Sequence, residues 1–338
     1  MRGRKVAFAL AAAAMAPGAG FAQSGAAAPN AAPGERAPAL APLGVGPLHI
    51  ASHADLDVEK IAIDVTVDAV VATYVLRNKG RAALNLAASV AMPGLQANAD
   101  DGAPWILPAA TPENPVALSV AADGAPVATK ADVAAYALGV DRRAEIEAAH
   151  LPLLPFAPRT AQALAGVGPQ TLAELSALGI VSPRDPDHPD RPVLADWTLA
   201  VTHSWRQPLP AGKTTTVAVK YTPLKAEARY GQADALDLED LKDEACLTPE
   251  LLGAAQDKLK GAGGALAVTE IALVNEPPLR WFDSPAASVS VRKPRPDAIV
   301  AFCGMDAKTA GQAVVRGAEL GGPDPRDFRI LIIEPTTQ

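Results

Sequence analysis

Histidine and cysteine are scarce in this sequence of 338 residues, with five of the first and two of the second. Aromatic residues are few as well: four tryptophans, four tyrosines and six phenylalanines. These are the side chains that ligate metals, relay protons and act as thiol nucleophiles, so the enzymatic chemistry open to the chain is narrow. No G-x-S-x-G elbow, H-E-x-x-H pair, doubled C-x-x-C or Walker loop occurs. Beyond the N-terminus no run of about 18 uncharged apolar residues remains, which excludes a polytopic helical membrane protein. Glycine and proline are plentiful instead, at 26 and 32 residues, and favour turns and interrupted elements over long helices. The valine, leucine and isoleucine content is too high for disorder throughout. The length fits one large domain or two ordinary ones.

The first 22 residues read as a signal peptide. Arg2, Arg4 and Lys5 form a basic start, Val6 to Ala16 an apolar stretch too short to span a bilayer, and Gly20-Phe21-Ala22 a small-x-small cleavage site before Gln23. No cysteine stands at that site to take a lipid anchor. Export follows as the expectation, to the periplasm of a Gram-negative envelope or beyond it. Cleavage removes three cationic residues and no acidic one, moving the formal charge from −7 to −10. An acidic exported chain is poorly suited to nucleic acid or an anionic membrane.

Cys246 and Cys303 are the two cysteines. In an exported protein an even count points to a disulfide, and only one pairing exists here. We expect a staple in preference to a reactive thiol, which needs a basic or helix-terminal setting.

Along the chain, 23–46 is a flexible Ala/Pro-rich leader with no apolar period. Period two then sets in: Ile61, Ile63, Val65 and Val67 alternate with polar residues and continue through Tyr74 and Leu76. The pattern breaks at Asn78-Lys79-Gly80 and resumes over Leu84–Val90, a hairpin signal. A strand is expected at Val116–Ala121, turning at Asp123-Gly124. Ala131–Val140, Arg143–His150, Thr160–Ala165 and Pro169–Leu178 favour helix. After a proline-rich acidic loop, Ser182 to Asp190, alternation returns from Trp197 to Trp205, and a turn at 208–212 leads to Val217–Tyr221 as a second hairpin. A helix is expected over Asp237–Lys260, with Thr248 as N-cap and Pro249 at its first turn. Further strands are expected at Leu266–Val274, Ala286–Arg292, Ala298–Phe302 and Phe328–Ile333, the last apolar enough to be central.

The expected fold is mainly β: an antiparallel sandwich-like framework of 47–130 and 193–335, a helical insertion with its proline-rich loop at 131–192, and a second short helical segment.

Candidate chemistry is sparse. His49 and His53 lie in extended or loop sequence, and we give them no metal role. His203 shares a strand face with Trp197, Leu199, Val201 and Trp205, which favours a hydrogen-bonded core histidine over a catalytic one. Asp185, Asp187, His188 and Asp190 place carboxylates together, but without the glycine turn of a calcium loop; we read a solvated acidic loop. Leu164 to Ile180 resembles a helix-hairpin-helix element, with Gly166-Val167-Gly168 as the turn and Pro169 opening the second helix. In that family the turn meets a DNA phosphate. Here Gln170 stands where a basic residue often helps, and a packing hairpin is the reading.

Several separated patches carry a wider resemblance: Thr73 to Gly80 followed by Val90-Ala91-Met92-Pro93, Tyr136 to Arg142, Trp197 to Trp205, Tyr221-Thr222-Pro223, the Trp281 region, Ala301 to Gly304 and Asp327-Phe328-Arg329. In order and spacing they resemble domain-of-unknown-function family 4424 from Leu48 to Pro335. The resemblance implies an exported protein with no assigned activity and no catalytic residues to carry over. Cys303 fits that family's Phe-Cys pattern and Cys246 its earlier cysteine, in keeping with a disulfide. The chain departs from the pattern in the helical insert.

The functional expectation is a non-enzymatic, periplasmic binding or interaction module. Its partner would be an envelope protein or a small ligand, with no cofactor and no metal, and Trp105 and Trp281 as its contact surface. The competing reading is a hydrolase of envelope polymers or small esters, with His203, Asp185, Asp187 and His188 as its polar site. His203 beside a carboxylate in an open pocket favours the second, and enclosure by Trp197 and Leu199 the first.

Overall fold

The computed structural model describes residues 44–97, 111–156, 158–182, 192–231, 247–261, 265–274, 287–301, 312–316 and 327–336. The chain opens with strands β1 (His49–Ile50), β2 (Leu56–Val65), β3 (Val70–Asn78), β4 (Leu84–Ala91), β5 (Leu95–Gln96), β6 (Ser119–Ala122), β7 (Ala125–Val127), β8 (Lys130–Ala137) and β9 (Val140–Asp141). Three helices follow, α1 (Arg143–Ala148), α2 (Pro158–Ala165) and α3 (Pro169–Ala177). Then come β10 (Thr198–Leu209), β11 (Thr214–Tyr221), β12 (Lys225–Gly231), α4 (Pro249–Gly261), β13 (Ala265–Val274), β14 (Ala287–Arg292), β15 (Ile299–Ala301), β16 (Gln312–Arg316) and β17 (Asp327–Pro335). Strand outweighs helix, as the alternating pattern requires.

Two sheets face each other. The first runs β1-β4-β10-β8-β9, with β5 also on β10; the second runs β16-β14-β2-β3-β11-β6-β7. Every pairing is antiparallel except β14 with β2, so the second sheet is mixed. Inward residues of both, among them Val90, Val133, Trp197, Leu199 and Val201 from the first and Ile61, Ile63, Tyr74, Leu76 and Val217 from the second, form one hydrophobic cluster. In a third sheet, β12-β13-β17-β15, the central strands β13 and β17 carry buried side chains on both faces. Ile271, Leu273, Ile330 and Ile332 join the main cluster, while Leu266, Val268, Leu331 and Ile333 pack with Ala255 and Leu259 of α4. Each such aliphatic side chain stabilises by about 1.5–3 kcal/mol relative to an exposed one, so β17 is held from both sides. Thr248 caps α4 as expected, its hydroxyl accepting from the Leu251 amide at 3.3 Å.

Three expectations are corrected. The first is the hairpin at Asn78-Lys79-Gly80. The reversal comes earlier, at Thr66–Ala69, where the Thr66 hydroxyl accepts from the Asp68 and Ala69 amides and β2 turns back onto β3. β3 and β4 then lie in different sheets. The second hairpin, at 208–212, is likewise a passage between sheets, since β10 belongs to the first and β11 to the second. Asn78, wholly buried, joins the two passages. Its side-chain amide donates to the carbonyls of Ala82 and Leu209, both at 2.9 Å, and its amide oxygen accepts from Gly80 N–H. Alternation along one strand does not reveal which strand lies beside it, so a break between two alternating runs reads equally as a hairpin or a corner.

The third correction concerns 131–140, a strand where a helix was expected. Alanine favours helix intrinsically, but Val133, Ala135 and Ala137 alternate with Asp132, Ala134 and Tyr136, and pairing with β10 buries the first set. Helix therefore begins at Arg143. β12 and β16 had no counterpart among the expected strands.

Candidate functional site

Of the residues singled out from sequence, Trp105, Trp281, Asp185, Asp187, His188, Cys246 and Cys303 lie outside the described residues. Trp197 is buried and its indole N–H donates to the Leu153 carbonyl at 2.8 Å. Trp205 is also buried, donating to the Gln207 side chain. His203 stands between them on β10, 4% exposed, with Nδ1 3.0 Å from the Thr129 hydroxyl and, among the described side chains, no partner on Nε2. Among the described residues its side-chain partner is the Thr129 hydroxyl, one residue before β8. Burial lowers its pKa, opposed more weakly by the Glu113 backbone. Among the described residues no three histidine, cysteine, aspartate or glutamate side chains come together as a cation site.

The surface feature that sequence reasoning missed lies at the β8–β9 turn. Ala137 pairs with Val140, leaving Leu138-Gly139 as a two-residue loop with φ of 51° and 77°. Both central positions need the left-handed region, which suits the right-handed strand twist and suits glycine. Leucine at the first is disfavoured by roughly 1–2 kcal/mol, and its side chain gains little from burial because it is 80% exposed. Tyr136 and Val140 beside it are 44% and 47% exposed.

The turn is rigidly mounted. The Asp141 carboxylate accepts from the Ala135 and Arg143 amides at 3.0 and 3.1 Å, and Arg143 reaches back to the Val133 carbonyl at 3.2 Å. Arg142 and Arg143 are in turn held by Glu145 and Glu147 on α1. Leu138 lies over Gly179, just past α3.

The helical hairpin forms as its sequence indicates. α2 ends at Ala165, just before Gly166, Gly168 is extended, and Pro169 opens α3. Leu164, Leu175 and Ile180 face the core. After α3 the chain is pinned by a bridge between Val181 and Ala195 and by reciprocal bonds of Ser182 with Leu194. Between α3 and this pinned pair lies a groove of about 290 Å³, lined by Val167, Leu172, Ala173, Ser176, Val181 and Val193 among others. Gly179, under Leu138, is two residues from Val181, so the exposed turn and the groove are neighbours. Ala131–Val140 reads as helix in the sequence, and only a strand reading of 130–137 would have flagged a turn at Leu138-Gly139.

The sequence matches the family described as Domain of unknown function (DUF4424) over residues 39–317. The chain belongs to this family. The DUF4424 match takes in both facing sheets, the β8–β9 turn and the helical hairpin. No curated protein matches the sequence. Among solved structures, a candidate nutrient binding protein from Legionella pneumophila is similar at 10% identity and a TM-score of 0.40, over 88% of this chain and 72% of that one.

Proposed function

We propose that this DUF4424 chain is an exported, periplasmic binding module, and that its partner engages the β8–β9 turn together with the groove beside α3. One observation carries the reading: Leu138 holds a backbone conformation that leucine disfavours while leaving most of its side chain in water. A residue that is costly to the fold and gains little from burial points to a role outside it. The groove is near the lower end of the size range of small-molecule sites, and its apolar lining with Ser176 and Ser182 matches their usual composition. The surroundings of His203, enclosed and bonded to Thr129, support packing, and among the described residues no carboxylate bonds to it. Export rests on the N-terminal 22 residues.

The test pairs the wild type with Leu138→Asp and Leu172→Asp. Binders are found by thermal-shift screening of small molecules and by recovery from periplasmic extract, and each is then measured on all three proteins. A binder whose affinity falls about tenfold or more in both variants supports the reading. A wild type that recovers nothing and shifts with nothing, or a binder indifferent to both substitutions, counts against it. Intact mass of the chain from the periplasmic fraction should place its N-terminus at Gln23.

A further inference from the structure

β12 is the outermost strand of the third sheet. It pairs with β13 at all seven positions and, among the described residues, with nothing on its other side. An uncovered strand presents a row of backbone donors and acceptors that another strand can take up. Such edges are usually blunted by proline, by a bulge or by repelling charge. β12 has no proline, runs in unbroken register with β13, and carries charges of both signs. Lys225 is tied to Asp68 at 3.6 Å. Glu227 and Arg229 are both exposed and are engaged by no described residue.

We propose that this edge joins two copies of the chain, their β12 strands pairing antiparallel about a two-fold axis at Ala228. In that register Glu227 of each copy stands opposite Arg229 of the other, Lys225 opposite Gly231, and Ala228 opposite itself. Directly opposed side chains lie about 5 Å apart, within ion-pair reach. The neighbouring symmetric registers are repulsive: shifting by two positions one way sets Glu227 against Glu227 and Lys225 against Arg229, and shifting the other way sets Arg229 against Arg229. The charge pattern therefore selects one occupant, a second copy, and one register. This pairing extends the third sheet to eight strands and leaves the α3 groove and the β8–β9 turn to their own partner.

Light scattering and sedimentation of the full chain test it. The wild type should weigh twice the chain mass, Arg229→Glu and Glu227→Arg should each run as monomers, and an equimolar mixture of the two variants should recover the dimer, because their charges are again opposed. Recovery on mixing also shows that both variants are folded. A monomeric wild type at concentrations on the order of 100 μM overturns the proposal, as does a variant that dimerises unchanged or a mixture that stays monomeric.

Discussion

Leu138 rests on Gly179. A β-carbon built on that glycine would come within 2.5 Å of Leu138 Cγ, and Gly179 itself has φ of 70°. Position 179 thus excludes other residues twice, by backbone conformation and by contact. Gly179→Ala should destabilise the chain by about 2 kcal/mol, combining left-handed strain with overpacking. Leu138→Gly should relieve the contact part, so the double variant, measured by urea denaturation, should be less destabilised than the sum of the two single changes.

Leu138→Gly alone separates stability from function. Glycine adopts φ of 51° without strain, and the leucine buries little, so the substitution should leave stability unchanged or shift it by less than about 1 kcal/mol. A loss of several kcal/mol would mean that Leu138 is a structural residue and not one held out for a partner.

Asn78 ties the two passages between sheets, and Asn78→Ala removes the donor from the carbonyls of Leu209, which is buried, and of Ala82, which is exposed. Orphaned buried groups cost about 1–3 kcal/mol each. A loss of about 1–3 kcal/mol with an unchanged denaturant slope is expected in equilibrium unfolding, and a loss well under about 1 kcal/mol would show that water replaces the amide at Leu209 too.

Stability should fall on both sides of neutrality. His203 titrates below its ordinary value because it is buried, so the unfolded chain binds the proton more readily. Its contribution is complete above about pH 6.5 and declines as the pH falls toward the lowered folded value. On the alkaline side, burial raises Tyr74 to about 12 and raises Tyr221 further. Those phenols contribute fully below about pH 10 and less as the pH rises past it. His203→Gln should flatten the acid limb of a stability profile and Tyr221→Phe the alkaline limb. Limbs unchanged by these substitutions would assign the pH dependence to other groups.

The Cys246–Cys303 disulfide is a proposal that rests on the sequence, both cysteines lying outside the described residues. Thiol titration of the denatured, unreduced chain should find no free thiol, and Cys303→Ala should cost about 2–4 kcal/mol. Two titratable thiols would contradict the bond.

What the sequence revealed, and what it hid, follows from the range of each signal. Alternation in Ile61–Val65 and Trp197–Trp205 marks half-buried strands because side chains on a strand repeat every two residues. Thr248 and Pro249 mark the start of α4 because caps act within one turn. Pairing partners are set over long distances, and so the crossings at Asn78 and Pro208 read as hairpins. Ala131–Val140 read as helix because alanine's local preference is the only signal there until β10 supplies a neighbour. At the candidate site, the glycine turn of the helical hairpin was legible, whereas Leu138 was not: its oddity exists only once the turn conformation is known. His203 was legible as a core residue from its strand face, but Thr129, 74 positions away, was not visible as its partner.

The most direct test of a binding role for the β8–β9 turn is a photoreactive phenylalanine analogue at position 138, irradiated in cells that export the chain. The account predicts a discrete crosslinked adduct that is absent when the analogue replaces Arg81 at the far corner, and absent again when Leu172→Asp is added. No adduct at 138, or the same adducts from both positions, would contradict it.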